Sequence, residues 1–134
     1  MKCLIVEDDF VARTLLQKFL SDVSECHIAA LGKEAVKAFT AALDDGEPYD
    51  LICLDIMMPE MDGHQVLQAV RQLEEERGIR GLDGVKVIVT TALGDSKNIM
   101  GAFSKGCEAY LVKPLSKAKL FKEMDQLGLS VNMV

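Results

Sequence analysis

Five short apolar runs alternate with five segments of helical periodicity along the whole chain, and this alternation limits the possible folds more than any other feature. The runs predict strands at residues 3–6, 26–30, 51–54, 85–90 and 109–112. Strands that alternate with helices are joined by crossovers, so they form a parallel sheet covered on both faces. We therefore predict a single α/β domain that spans residues 1–134.

The helical segments carry apolar residues three or four positions apart, a spacing that buries one side of a helix. Helices are predicted over residues 10–20 and 33–43, and Asp95 and Ser96 are N-cap candidates for a fourth helix that should end at Gly106. Ser116 is predicted to cap the last helix, and residues 74–84 (EEERGIRGLDG) are predicted as a helix end followed by an exposed loop. The predicted inward-facing residues are Val11, Leu15, Leu16 and Phe19 in the first helix, Val36, Phe39 and Leu43 in the second, Val66, Val70 and Leu73 in the third, and Leu120, Met124 and Leu127 in the last.

Charge and composition exclude several functional classes. The chain has 15 basic and 21 acidic residues and no Lys/Arg cluster, which argues against direct nucleic-acid binding. No apolar run approaches the ~20 residues of a membrane span, and acidic residues arrive by Glu7, unlike in a signal peptide. The four cysteines are widely spaced and form no CxxC pair, which is typical of reduced thiols. We expect a cytoplasmic protein with no membrane association.

Polar residues follow four of the predicted strands at the point where each strand ends. Ligands of open α/β sheets bind outside the carboxyl ends of the strands, so these side chains should converge on one site. They are Glu7, Asp8 and Asp9 after the first strand, Asp55 after the third, Thr90 and Thr91 at the fourth, and Lys113 after the fifth.

The acids of this edge need a compensating charge. Either Asp8 or Asp9 could simply cap the first helix. Together with Asp55, however, they would repel one another by ~4 kcal/mol per close pair at an effective dielectric constant near 20. A raised pKa, a cationic side chain or a metal ion can offset this repulsion. Carboxylate oxygens favour Mg²⁺, and the isolated His27 and His64 do not suggest zinc.

These residue types are suited to phosphoryl transfer onto a carboxylate. Asp55 is the candidate nucleophile because it stands alone after its strand, whereas the paired acids can hold the metal. Lys113 and the Thr91 hydroxyl could hold the equatorial phosphoryl oxygens, and the Met57 carbonyl is a further candidate metal ligand.

Four motifs make the chain resemble the receiver domain of two-component response regulators, as in the single-domain chemotaxis regulator: LIVEDD (4–9), LDIMMPEMDG (54–63), VTTA (89–92) and AYLVKP (109–114). The resemblance implies a flavodoxin-like sheet of strand order 2-1-3-4-5. It also implies that Asp55 accepts a phosphoryl group from a phosphohistidine on a sensor histidine kinase or a histidine phosphotransfer protein. By the same resemblance, Asp9 and Asp55 bind Mg²⁺ directly with the Met57 carbonyl, and Asp8 acts through water.

The resemblance further implies a switch. Lys113 contacts the phosphoryl oxygens with its ammonium group, and a cis Lys113–Pro114 peptide bond orients the lysine toward them. Thr91 moves to form a hydrogen bond with the same oxygens, and Tyr110 changes between exposed and buried rotamers. A phosphoryl group adds roughly two negative charges, and only such a differential interaction shifts a two-state equilibrium. The expected readout is the surface of the fourth helix, fifth strand and fifth helix.

The sequence does not identify the molecule that receives the signal from this switch. Only GLSVNMV follows Leu127, so we expect output through an unidentified partner protein if this is the full length, and through an unseen further domain if it is not. The sequence is also compatible with a homodimer. Met57 and Leu93 lie two residues beyond Asp55 and Thr91, where neither side chain can orient a hydrolytic water. We therefore expect slow loss of the phosphoryl group and a signalling protein rather than a turnover enzyme.

Three other functions share parts of this pattern. A haloacid dehalogenase-type phosphatase needs a second Asp two residues after its nucleophile, where this chain has Met57. A flavin binder of the same architecture needs a Ser/Thr/Gly-rich phosphate loop, where this chain has EDDF (7–10). The third is a pseudo-receiver, which keeps the fold as a phosphorylation-independent interaction module.

Overall fold

The computed structural model describes residues 1–129, which form five strands, five α-helices and one 3-10 turn in strict β–α alternation. Residues 130–134, the end of the GLSVNMV segment, lie outside the described part. The strands are β1 (Lys2–Val6), β2 (Glu25–Ala29), β3 (Leu51–Leu54), β4 (Lys86–Thr91) and β5 (Ala109–Val112). The helices are α1 (Phe10–Leu20), α2 (Gly32–Asp44), α3 (Gly63–Glu76), α4 (Ser96–Ser104) and α5 (Lys117–Gln126), with the 3-10 turn at Gly81–Asp83.

All strands are parallel, in the order β2-β1-β3-β4-β5, which confirms the predicted flavodoxin-like single-domain fold. Successive side chains along a strand point to opposite faces, so the sheet separates two apolar cores. Helices α2, α3 and α4 contribute buried residues to one core, and α1 and α5 contribute to the other. Strands β1 and β3 are apolar almost throughout because both of their faces are covered.

The inner face of α1 differs from the prediction. Leu16 and Leu20 are fully buried, whereas Val11 is 72% exposed and Leu15 is 37% exposed. The buried stripe therefore lies about 100° around the helix from the stripe that the apolar residues suggest. Val11 and Leu15 were wrong as core residues, while Phe19 is half-buried against the core, as the sequence pattern indicates.

The predicted caps are confirmed. The Asp95 carboxylate accepts from the Asn98 amide at the start of α4, and the Ser116 hydroxyl accepts from the Lys119 amide at the start of α5. These bonds satisfy backbone donors that have no partner within the helix. Helix α4 ends two residues before Gly106, which adopts a φ of +103°.

The segment over residues 74–84 is a helix end followed by a mostly exposed loop, as predicted, and its helical part carries one buried acid, Glu74. Helix α3 continues to Glu76, and the Glu74 carboxylate accepts from the Val85 amide at 2.7 Å and pairs with Arg71. Arg71 also donates to the Gly106 carbonyl and to Glu108, so one guanidinium joins three segments at the amino edge of the sheet. Within residues 1–129 no helix is both long and apolar enough to cross a bilayer, and all four cysteines are free thiols.

Candidate functional site

Three carboxylates converge where β1 and β3 end, at the edge of the sheet that the sequence predicts. Glu7 and Asp8 follow β1, Asp55 follows β3, and one oxygen of each lies within 4.8 Å of the others. Glu7 is fully buried and Asp55 is only 3% exposed, whereas Asp8 is exposed. Carboxylates this close repel one another, most strongly the two buried ones, so the cluster favours a neighbouring cation or a bound proton.

Asp9 does not belong to this cluster. Its backbone is extended and its carboxylate accepts from the Ala12 amide at 3.0 Å, which makes it the N-cap of α1. Glu7, to which the family resemblance assigned no role, belongs to the cluster together with Asp8 and Asp55. Both interpretations of the three consecutive acids therefore apply, because Asp9 caps α1 while Glu7 and Asp8 lie close to Asp55.

Lys113 supplies positive charge from the end of β5. Its ammonium lies 2.5 Å from Glu7 Oε1 and 3.2 Å from Asp55 Oδ2. Burial alone would lower the pKa of Lys113, but the hydrogen bond to Glu7 and the charge of Asp55 raise it above the ordinary value. The Lys113–Pro114 peptide bond is cis, as the resemblance implies.

One lysine does not fully compensate the acids. Burial raises the pKa of Glu7 to about 7, with a further upward contribution from Asp55, although the hydrogen bond from Lys113 opposes the shift. The edge of the sheet therefore favours a proton or a further cation in addition to the ammonium of Lys113.

The loop after β3 fixes the orientation of Asp55. The Met57 amide donates to Asp55 Oδ1 at 3.0 Å, and the Met57 side chain is 59% exposed beside it. The loop then turns back so closely that a Cβ on Gly63 would lie 2.4 Å from the Asp55 carbonyl oxygen. Only glycine fits there. Asp62 and Gln65 form a capping box that starts α3 at this point.

The two predicted switch residues meet at the backbone of Leu93. The Leu93 amide donates to Thr91 Oγ1 at 3.3 Å, and the Tyr110 hydroxyl donates to the Leu93 carbonyl. Thr91 is fully buried and Tyr110 is half-buried. Burial raises the pKa of Tyr110, with a smaller contribution from the charge of Asp95, so its hydroxyl is protonated and can donate this hydrogen bond.

Comparison with known proteins agrees with this geometry. The family model described as "Response regulator receiver domain" matches residues 3–125. The transcriptional regulatory protein SrrA of Staphylococcus aureus is 36% identical over 114 residues, which cover 84% of this chain and 42% of SrrA. Hybrid signal transduction histidine kinase L of Dictyostelium discoideum is 30% identical over 131 residues, which cover 98% of this chain and 7% of the kinase. The chain spans less than half the length of these curated relatives.

Two solved structures share the fold closely. The CheX–CheY–BeF3–Mg complex from Borrelia burgdorferi gives a TM-score of 0.79 at 29% identity, covering 97% of this chain and 90% of that one. The receiver domain of the histidine kinase CKI1 from Arabidopsis thaliana, complexed with Mg²⁺ and BeF3⁻, gives 0.81 at 27% identity, covering 95% and 89%. With nearly the whole chain matched by the family model, the protein belongs to the response regulator receiver domain family.

Proposed function

We propose that the chain is a phosphorylation-dependent signalling switch in which Asp55 accepts a phosphoryl group from a phosphohistidine of a sensor histidine kinase or a histidine phosphotransfer protein. The observation that carries this proposal is the setting of the Asp55 carboxylate. One of its oxygens is held by the Met57 amide and the other by the Lys113 ammonium, beside two further acids. This setting orients a nucleophile and provides donors for the charge of an incoming phosphoryl group.

The transfer itself is a displacement at phosphorus. A carboxylate oxygen of Asp55 forms the new O–P bond while the N–P bond of the phosphohistidine breaks. The electron pair of that bond returns to the imidazole nitrogen, which takes up a proton from solvent. Lys113 is placed to neutralise charge on the phosphoryl oxygens, since its ammonium is already 3.2 Å from Asp55.

The donor set fits a magnesium ion. Asp8, Asp55 and Glu7 offer only oxygen ligands, which suit a hard cation, and their charge exceeds that of the single lysine. We propose that Asp8 and Asp55 hold the ion together with the Met57 carbonyl and with Glu7 beside them, and that Asp9 does not take part. Bound Mg²⁺ would neutralise oxygen charge during transfer.

The switch is proposed to act through Leu93. When the Thr91 hydroxyl turns to a phosphoryl oxygen, it gives up the bond from the Leu93 amide. The Leu93 carbonyl holds the Tyr110 hydroxyl, so movement of this loop changes the position of Tyr110. The face formed by α4, β5 and α5 then differs between the two states, and a downstream protein can bind one state preferentially.

The setting of this relay is proposed to be the cytoplasm, in keeping with the four free thiols. The pseudo-receiver alternative is not favoured, because the acids, Thr91 and Lys113 are all present and the three acids and Lys113 are close together.

Intact mass spectrometry with a small acyl phosphate tests the proposal. Incubation with Mg²⁺ and acetyl phosphate is expected to add one phosphoryl group to the wild type and none to Asp55→Asn. Asp50→Asn, an exposed acid at the opposite end of β3, serves as the matched control and should behave like the wild type. An unchanged wild-type mass would refute the proposed function.

A further inference from the structure

Thr90 carries a buried hydroxyl that has no hydrogen-bond partner. Among the described side chains, only Thr90 Oγ1 and His64 Nδ1 are buried polar atoms without a partner. Thr90 is the more confined of the two, since the whole residue is buried, whereas His64 is half-buried and bonds Asn98 through its other nitrogen. A buried hydroxyl without a partner is destabilising and needs an explanation.

The sheet register places Thr90 beside Asp55. Val6, Leu54 and Val89 lie in one row across β1, β3 and β4, and all three face the same core. The next residue on each strand faces the opposite side, because side chains alternate along a strand. That next row consists of Glu7, Asp55 and Thr90. Adjacent strands are about 4.8 Å apart, so Thr90 is the immediate neighbour of the proposed acceptor.

Lys113 must cross β4 to reach its partners. It follows β5, whereas Asp55 follows β3 and Glu7 follows β1, and β4 lies between β5 and β3. The lysine side chain therefore extends over the end of β4, where Thr90 stands in the row of the two acids. An ammonium has three hydrogens to donate, and two of them are accounted for by the acids.

We propose that Thr90 is a positioning residue for Lys113: the Thr90 hydroxyl accepts an ammonium hydrogen once the lysine leaves Glu7 for a phosphoryl oxygen on Asp55. The inference rests on the proposed function. In the present state the ammonium is drawn to Glu7 on β1, two strands away from Thr90. A phosphoryl group on Asp55 adds negative charge at the end of β3, so the Lys113 ammonium is drawn toward β3, which is adjacent to β4. Thr90 then gains its missing partner only in the phosphoryl-bound state.

Two variants isolate the hydroxyl. Thr90→Val keeps the shape and removes the hydroxyl, and Thr90→Ser keeps the hydroxyl. The probes are Mg²⁺ alone and beryllium fluoride, a phosphoryl mimic, at saturating Mg²⁺, both followed by titration calorimetry. Thr90→Val is expected to bind beryllium fluoride about tenfold more weakly than the wild type, to bind Mg²⁺ as the wild type does, and to be no less stable to urea. Thr90→Ser should restore the beryllium fluoride affinity.

A purely structural role predicts a different pattern. The inference is overturned if Thr90→Val binds beryllium fluoride as tightly as the wild type, if its Mg²⁺ affinity falls in the same proportion, or if Thr90→Ser behaves like Thr90→Val. Failure of the underlying function is distinguishable, since the wild type itself would then bind no beryllium fluoride in the presence of Mg²⁺.

Discussion

The Lys113 ammonium lies closer to Glu7 than to the proposed acceptor Asp55, at 2.5 Å from Glu7 Oε1 against 3.2 Å from Asp55 Oδ2. In this state the lysine is therefore held mainly by an acid other than the proposed acceptor. Delivery of the lysine to a phosphoryl group requires that this contact be exchanged for another. The charge of Glu7 should therefore affect both the free energy of unfolding of the domain and the ease with which Lys113 can move to a phosphoryl group.

Glu7 should make the metal-free protein less stable as the pH rises. Burial raises its pKa to about 7, whereas in the unfolded chain Glu releases its proton near the ordinary value of 4.5. Between these values the folded state holds more protons, so the free energy of unfolding falls with increasing pH. Urea unfolding in EDTA between pH 5 and pH 8 should show this fall in the wild type and a flatter profile in Glu7→Gln. Glu75→Gln, an exposed acid on α3, should keep the wild-type profile. Identical profiles for wild type and Glu7→Gln would exclude this role.

The fold and the position of the site could be predicted because each depends on local patterns. Alternating apolar runs define the strands, and the carboxyl ends of parallel strands lie at one edge. Asp55 and Lys113 directly follow their strands, so their proximity needs no knowledge of side-chain rotamers. The strand order itself came from the family resemblance, since alternation alone allows several orders.

The separate roles of the three consecutive acids could be assigned only from the strand geometry. The run from Glu7 to Asp9 offers three carboxylates, and sequence spacing does not say which one caps α1. The alternation of β1 contains the missing signal, because Glu7 lies on the same face as Ile5, two residues earlier. The Arg71 network could not be predicted, since its partners Glu74 and Glu108 come together only through tertiary packing.

Lys113→Ala should separate metal binding from switching. The carboxylates that we propose as ligands remain, so Mg²⁺ affinity should be kept or increased, because a competing cation is removed. Beryllium fluoride binding should weaken by roughly tenfold or more, since a charged donor to the phosphoryl oxygens is lost. Calorimetry measures both affinities. Lys37→Ala, an exposed lysine on α2, is the control. Loss of Mg²⁺ binding in Lys113→Ala would contradict the assigned role.

Met57→Asn should shorten the lifetime of the phosphorylated protein. Met57 is 59% exposed and its amide bonds Asp55, so its side chain starts beside the proposed acceptor, and a thioether cannot orient an attacking water. An amide can hold the attacking water, so we expect loss of the phosphoryl group to accelerate on the order of tenfold to a hundredfold. Met100→Asn changes a similarly exposed methionine on α4 and should leave the lifetime unchanged. Decay can be followed by intact mass after removal of acetyl phosphate, and a wild-type lifetime no longer than that of Met57→Asn would disprove this prediction.

Arg71→Met should destabilise the fold without altering phosphorylation. The guanidinium bonds the Gly106 and Val85 carbonyls and pairs with Glu74 and Glu108, so its removal leaves two largely buried carboxylates without their cation. Breaking such a network costs roughly 3 kcal/mol, which urea unfolding can measure. The exposed pair of Arg77 with Asp44 provides the matched control, because Arg77→Met should cost less than about 1 kcal/mol.

The network lies at the amino ends of β4 and β5, whereas the acids follow the carboxyl ends of β1 and β3, so Arg71→Met should still gain one phosphoryl group from acetyl phosphate at 15 °C in Mg²⁺. Equal stability losses in the two variants would mean that the Arg71 network contributes no more than a surface ion pair.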